Sequence, residues 1–189
     1  MASNKPFIGI KRIWYGDSLK AACTPTSLAA WLKTAIEVLN SHDGTWGYSQ
    51  DDPSVTDYIN ELNGQTYYRD KTSEGAKTIT FSIGVYSWKN KADLQGGDML
   101  DSTGAKTSTE TNAVGWSSNQ DLENINKCLV AQTKTGNYIV FSNASIVAKG
   151  DQQDKNIALG ITAVAMESDY SDVAAEYLYS GDSVVTDNG

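Results

Sequence analysis

The chain has 189 residues, 40% of them hydrophobic and 20% charged, and its 23 acidic against 15 basic side chains leave a net charge of -8. That length suits one domain with a continuous core, and the acidic balance argues against duplex nucleic acid or an anionic membrane as an ordinary partner. No apolar run approaches the roughly 18 residues of a membrane span, and none follows the first charges of the N-terminus, so a soluble cytosolic chain is expected.

In chain order, a first strand is expected over 7–14, although neither of its faces is cleanly apolar. Leu28, Trp31, Leu32, Ala35, Ile36 and Leu39 then recur at helical spacing. With Thr24 as cap and Pro25 at the first position they predict a helix over about 25–38, residues 36–39 being open to a strand instead. Residues 40–76 read as a long acidic loop punctuated by Gly44, Gly47, Pro53 and Gly64. Short strands are conceivable there at 45–48, 55–59 and 66–68. So polar a segment is poorly able to stabilise itself and is expected to order against a neighbouring chain.

The clearest signal is residues 77–97. Ile79, Phe81, Ile83 and Val85 alternate with Thr78, Thr80, Ser82 and Gly84, the two-residue period of a half-buried strand. The phase slips at Tyr86 and Trp88, which predicts a bulge or bend near Gly84. Residues 96–115 read as an exposed loop. Ser118 caps an expected helix over 119–126 carrying Leu122 and Ile125. Strands at 128–133 and 138–142 join through Lys134, Thr135, Gly136 and Asn137, a hairpin turn. A second pair, 145–148 and 157–166, spans a polar turn at 150–156. A last strand is expected at 176–179, followed by a flexible tail over 180–189. The fold class is therefore β-rich α+β: a small β-sandwich or open β-barrel with one or two flanking helices.

Little of this sequence carries chemistry. Cys23 and Cys128 lack the spacing of a metal knuckle or redox pair. Buried thiols are favoured over a disulfide, the pairing staying open. His42, the sole histidine, sits in a Ser-His-Asp-Gly turn rather than a nucleophile motif. Asp51, Asp52 and Asp57 lack the ligand order of an EF-hand, and no phosphate-cradling glycine loop occurs. Trp46, Tyr48, Trp88 and Trp116 could form a sugar-stacking platform, but their scatter favours core or interface roles. Neither catalysis, nor a cofactor, nor a metal is expected.

The stretch DDPSVTDYINELNGQTYYRD leads through a charged turn into KTITFSIGV, followed by GWSSNQDLENINKCLVAQTKTGNYIVFSNASIVAKG and NIALGITAVAME. Over about residues 40–179 this resembles the tail tube (major tail) proteins of long-tailed bacteriophages. The resemblance implies a virion structural protein, assembled in the bacterial host cytoplasm, whose protomers join sheet to sheet into six-membered rings. The rings stack into a tube that meets other tail proteins and passes DNA transiently. It implies subunit-interface roles for Trp46, Tyr48, Tyr58, Tyr67 and Tyr68, and a lumen lined by Asp51, Asp52, Asp57 and Glu61. The helix at 25–38 departs from that family, where strand and loop are usual. The alternative from another class is a secreted or surface carbohydrate-binding β-domain without catalysis.

Overall fold

Alternation of β-branched and aromatic residues with small polar ones carries most of the chain into antiparallel strands. The computed structural model describes residues 5–119, 121 and 123–184. Along the chain the elements are β1 (Arg12–Gly16), α1 (Pro25–Leu32), β2 (Ile36–Val38), β3 (Gly47–Gln50), β4 (Val55–Ile59) and β5 (Thr66–Lys71). They continue with β6 (Lys77–Ile83), α2 (Trp88–Gln95), β7 (Asp98–Leu100), β8 (Lys106–Thr107) and β9 (Gly115–Ser117). The last four are β10 (Ile125–Gln132), β11 (Tyr138–Gln153), β12 (Asn156–Ala165) and β13 (Glu176–Tyr179). Eight strands form the main sheet in the order β2-β1-β10-β11-β12-β6-β3, with β13 also on β11. The fold is the expected β-rich sandwich with flanking helices.

The long strand β11 organises it. One of its edges pairs with β10, while the other takes β13 along Tyr138 to Phe141 and then β12 from Ala144 to Gln153. The sheet folds over on itself, so that Ile13, Tyr15, Leu129, Ile139 and Phe141 from one half meet Ile79, Phe81, Ile83, Leu159 and Ile161 from the other in one core. The reverse face of β1, β10 and β11 is covered as well. Trp14, Cys128, Val130 and Val140 pack there against Leu28 and Ala29 of α1, with Cys23 and Val184. Each fully buried large apolar side chain contributes about 1.5–3 kcal/mol, and the two clusters together hold the layers in register.

Several boundaries differ from expectation. The first strand begins at Arg12, not Phe7; the segment before it instead crosses the β10–β11 turn. There Asn137 Nδ2 donates to the Lys5 carbonyl at 2.7 Å, while its Oδ1 accepts from Gly181 N at 3.3 Å. The helix starts as predicted, with Thr24 and Ser27 capping each other. It stops at Leu32, however, because Ile36–Val38 pairs with β1 (Tyr15 opposite Ile36, Ile13 opposite Val38). The strand from Lys77 ends at Ile83, and the bend expected near Gly84 follows, turning Val85 out to 77% exposure instead of into the core. Ser87 and Asn90 form a reciprocal cap, and α2 follows with Leu94 as its buried residue. The 96–115 loop contains the small sheet β8-β7-β9. Of the helix expected at 119–126, residues 120 and 122 lie outside the described residues, and Ile125 opens β10 instead. The tail expected from 180 begins with a turn that seats Val184 in the core; 185–189 lie outside the described residues.

Candidate functional site

Residues 51–76 form a projecting arm. Its base closes where Asp51 N donates to the Ala76 carbonyl, and Gly75 (φ +78°) is required there, since a Cβ would lie 2.0 Å from the Asp51 carbonyl oxygen. β4 and β5 pair only with each other, and every residue of both is exposed. Arg69 grips Asp57 with two hydrogen bonds, 2.5 and 2.9 Å, holding that carboxyl below its usual range. Tyr58 lies 5.7 Å from Tyr68 and 6.5 Å from Tyr67, ring centre to ring centre. Val55, Ile59 and Leu62 are apolar and open to water, Leu62 at 95%. An isolated two-stranded hairpin is marginal in water, so such an arm lacks the burial that would stabilise it alone.

Three of the five aromatics expected at an interface, Tyr58, Tyr67 and Tyr68, share this arm with all four acids expected along a lumen. The other two, Trp46 and Tyr48, stand at and just before β3. They line an apolar slot of about 160 Å³ with Phe7, Ile139 and Leu178. Tyr48 donates to Glu176 Oε1 at 2.7 Å, and Lys77 Nζ lies 2.5 Å from Glu176 Oε2. Burial, followed by that hydrogen bond, pushes the Tyr48 phenol up to about 12. Trp88 stands on α2, and Trp116 on β9 lies under Lys91 at 4.4 Å. Of the four aromatics weighed as a sugar platform, Trp46 and Tyr48 thus share one slot while Trp88 and Trp116 stand on other elements, and among the described residues no two of the four rings stack.

The outer face of β3, β6 and β12 carries small hydroxyls: Thr80 lies opposite Thr162 and Gly47, and Thr78 opposite Ser49. Ser82, expected to face water, is 4% exposed. Asp151 covers it, accepting from Ser82 Oγ at 3.2 Å and from Gln153 Nε2 at 2.6 Å. Those bonds, that of Gln153 foremost, hold the Asp151 carboxyl low. This hydroxyl serves a carboxylate, not the imidazole of His42, whose Nε2 faces Asp154 at 3.5 Å.

Both cysteines are free and buried, in the cluster beneath α1. Among the described residues no group of three or more His, Cys, Asp or Glu gathers to hold a metal ion, and no helix is long and apolar enough to cross a membrane. A second feature had no local signal in the sequence: a cleft of about 520 Å³ whose lining includes Tyr15, Asp17, Lys20, Trp31, Lys89, Asp93 and Lys127. Its lysines come from three distant segments. No protein-family model matches the chain, and no characterised protein matches its sequence.

Proposed function

We propose that this chain is a non-enzymatic structural protein of the tail-tube kind, built to assemble with copies of itself into stacked rings that conduct DNA. In this reading it works in a virion tail, beside other tail proteins. The observation that carries the reading is the arm at residues 51–76: a two-stranded hairpin, exposed on every strand residue, that displays three tyrosines and three aliphatic side chains to water. Exposed apolar surface of that kind serves an interface.

The arm joins the interface tyrosines to the acids Asp51, Asp52, Asp57 and Glu61, so in this reading those acids act with the tyrosines between subunits. The conduit wall falls instead to the hydroxyl face around Thr78, Thr80 and Thr162. Lys149 on that face stands with Asp151 beside Thr80 and Thr162, so the wall offers phosphates hydroxyls and little net counter-charge, and DNA weakly held slides. Trp46 and Tyr48, beside the outer edge of β3, supply a second contact between neighbours.

Negative-stain electron microscopy of the concentrated protein tests this. Rings and hollow tubes are expected. A protein that remains monomeric at every concentration, or that forms only irregular aggregates, refutes it.

A further inference from the structure

We infer that the lysine-rimmed cleft between α1, α2 and the end of β1 is the receptor for the arm of a second copy of this chain. The inference rests on the self-assembly reading above and names its contact. In a chain of net charge -8, two copies repel wherever like surfaces meet. A stable contact therefore pairs unlike patches. The cleft supplies one: Lys20, Lys89 and Lys127 against Asp17 and Asp93, a local net of +1. Lys89 is held by Asp93 at 3.0 Å and Lys127 reaches Asp17 at 3.8 Å. Lys20 is exposed and has no carboxylate partner among the described residues.

The arm supplies the other patch. Residues 51–76 hold six acids against Arg69 and Lys71, a net of -4. Those two bases are already committed to Asp57 and Glu74. Asp51, Asp52, Glu61 and Asp70 remain without a cation among the described residues. At about 3.4 Å per residue the paired strands alone span about 17–20 Å, and the tip beyond them places Glu61 beside Leu62.

The cleft matches that tip in both chemistries. Trp31 forms an apolar wall, fixed because its ring lies against Gly16, where a Cβ would stand 2.9 Å away, and because its Nε1 donates to the Asp17 carbonyl at 3.4 Å. Tyr15 forms the floor, accepting from Asn90 at 2.9 Å and donating to Asp93 at 3.2 Å. Leu62 packs on Trp31 while Glu61 meets Lys20. Arm and cleft are different surfaces, so a copy whose arm is seated in one neighbour keeps its own cleft for another, and the contact passes from copy to copy into a ring or a stack; reciprocal exchange within one pair would stop it at a dimer.

Charge exchange tests it with the full chain. Lys20→Glu and Glu61→Lys are both exposed substitutions, and circular dichroism melts should match the wild type. By sedimentation velocity at low salt, each alone should raise the concentration needed for assembly about tenfold or more, and the two in one chain should restore it to within about threefold of wild type. Wild-type oligomers indifferent to either substitution, or single variants that the double does not rescue, overturn this inference while leaving self-assembly standing. A wild type that never leaves the monomer overturns both.

Discussion

Lys77 and Glu176 tie β6 of one layer to β13 of the other: Nζ stands 2.5 Å from Oε2, with the side chains only 23% and 9% exposed. Tyr48 closes the same carboxylate from β3. Removing one partner of a withdrawn ion pair leaves the other charge unsatisfied. Lys77→Met should therefore cost about 3 kcal/mol in urea unfolding. Glu176→Gln, which leaves a lysine able to turn to water, should cost about 1 kcal/mol. The double variant should cost less than the sum of the two, the mark of direct coupling.

Phe81 and Thr80 are neighbours in β6 on opposite faces. Phe81 is 2% exposed in the core, and Thr80 stands on the hydroxyl face. Phe81→Ala should destabilise by about 3–5 kcal/mol and Thr80→Ala by less than about 1. Equal costs in equilibrium denaturation would contradict the register.

Tyr48 gives an alkaline signature. Its phenol rises from 10.0 to about 12 on folding, so its contribution to stability is intact below pH 10 and is lost as pH climbs towards 12. Thermal melts across that window should fall less steeply for Tyr48→Phe than for the wild type, with the two curves parallel at neutral pH.

The arm should behave as a separate unit. In the monomer, amides of β4 and β5 should exchange with solvent far faster than those of β11, and they should slow on assembly. Gly75→Ala puts a methyl group on the Asp51 carbonyl and forces a non-glycine residue to positive φ. It should cost about 1–3 kcal/mol or free the arm base, seen as faster exchange from Asp51 to Ala76.

Burial pushes both thiols up, Cys128 above all. In native protein at neutral pH neither should react with an aromatic disulfide reagent on the minute scale, and both should do so in denaturant. Rapid native labelling of Cys128, whose exposure is 0%, would mean that the β1–β10 layer opens.

Much of this architecture is legible in local pattern. The alternation through Phe81, the Thr24 cap with Pro25, and the turn ahead of Asn137 all mark real features. What escaped the sequence depends on contacts between distant segments. The stripe from Leu28 to Leu39 keeps helical period past Leu32, yet pairing with β1 takes Ile36–Val38 into the sheet. β11 reads as two strands because Ser142, Asn143 and Ser145 interrupt its apolar run. In the fold Ser142 donates to the Ala174 carbonyl and Asn143 to that of Glu167, so these polar groups are buried without penalty. α2 buries little beyond Leu94, which leaves it almost no amphipathic stripe. The residues of the arm could be named in advance, but not its lysine-rimmed counterpart.

Asn137 has a consequence for how the polypeptide is threaded. One carboxamide touches the backbone of both Lys5 and Gly181, and Lys5 meets Asp182 at 3.2 Å, so the two ends of the described chain are neighbours. A linker of a few residues could join them, and new ends could be opened at the arm tip between Glu61 and Asn63 without cutting a single ladder of the main sheet. The order in which the strands are synthesised is thus separable from the order in which they pair. A circularly permuted chain would present the arm as two free terminal strands on an unchanged sandwich.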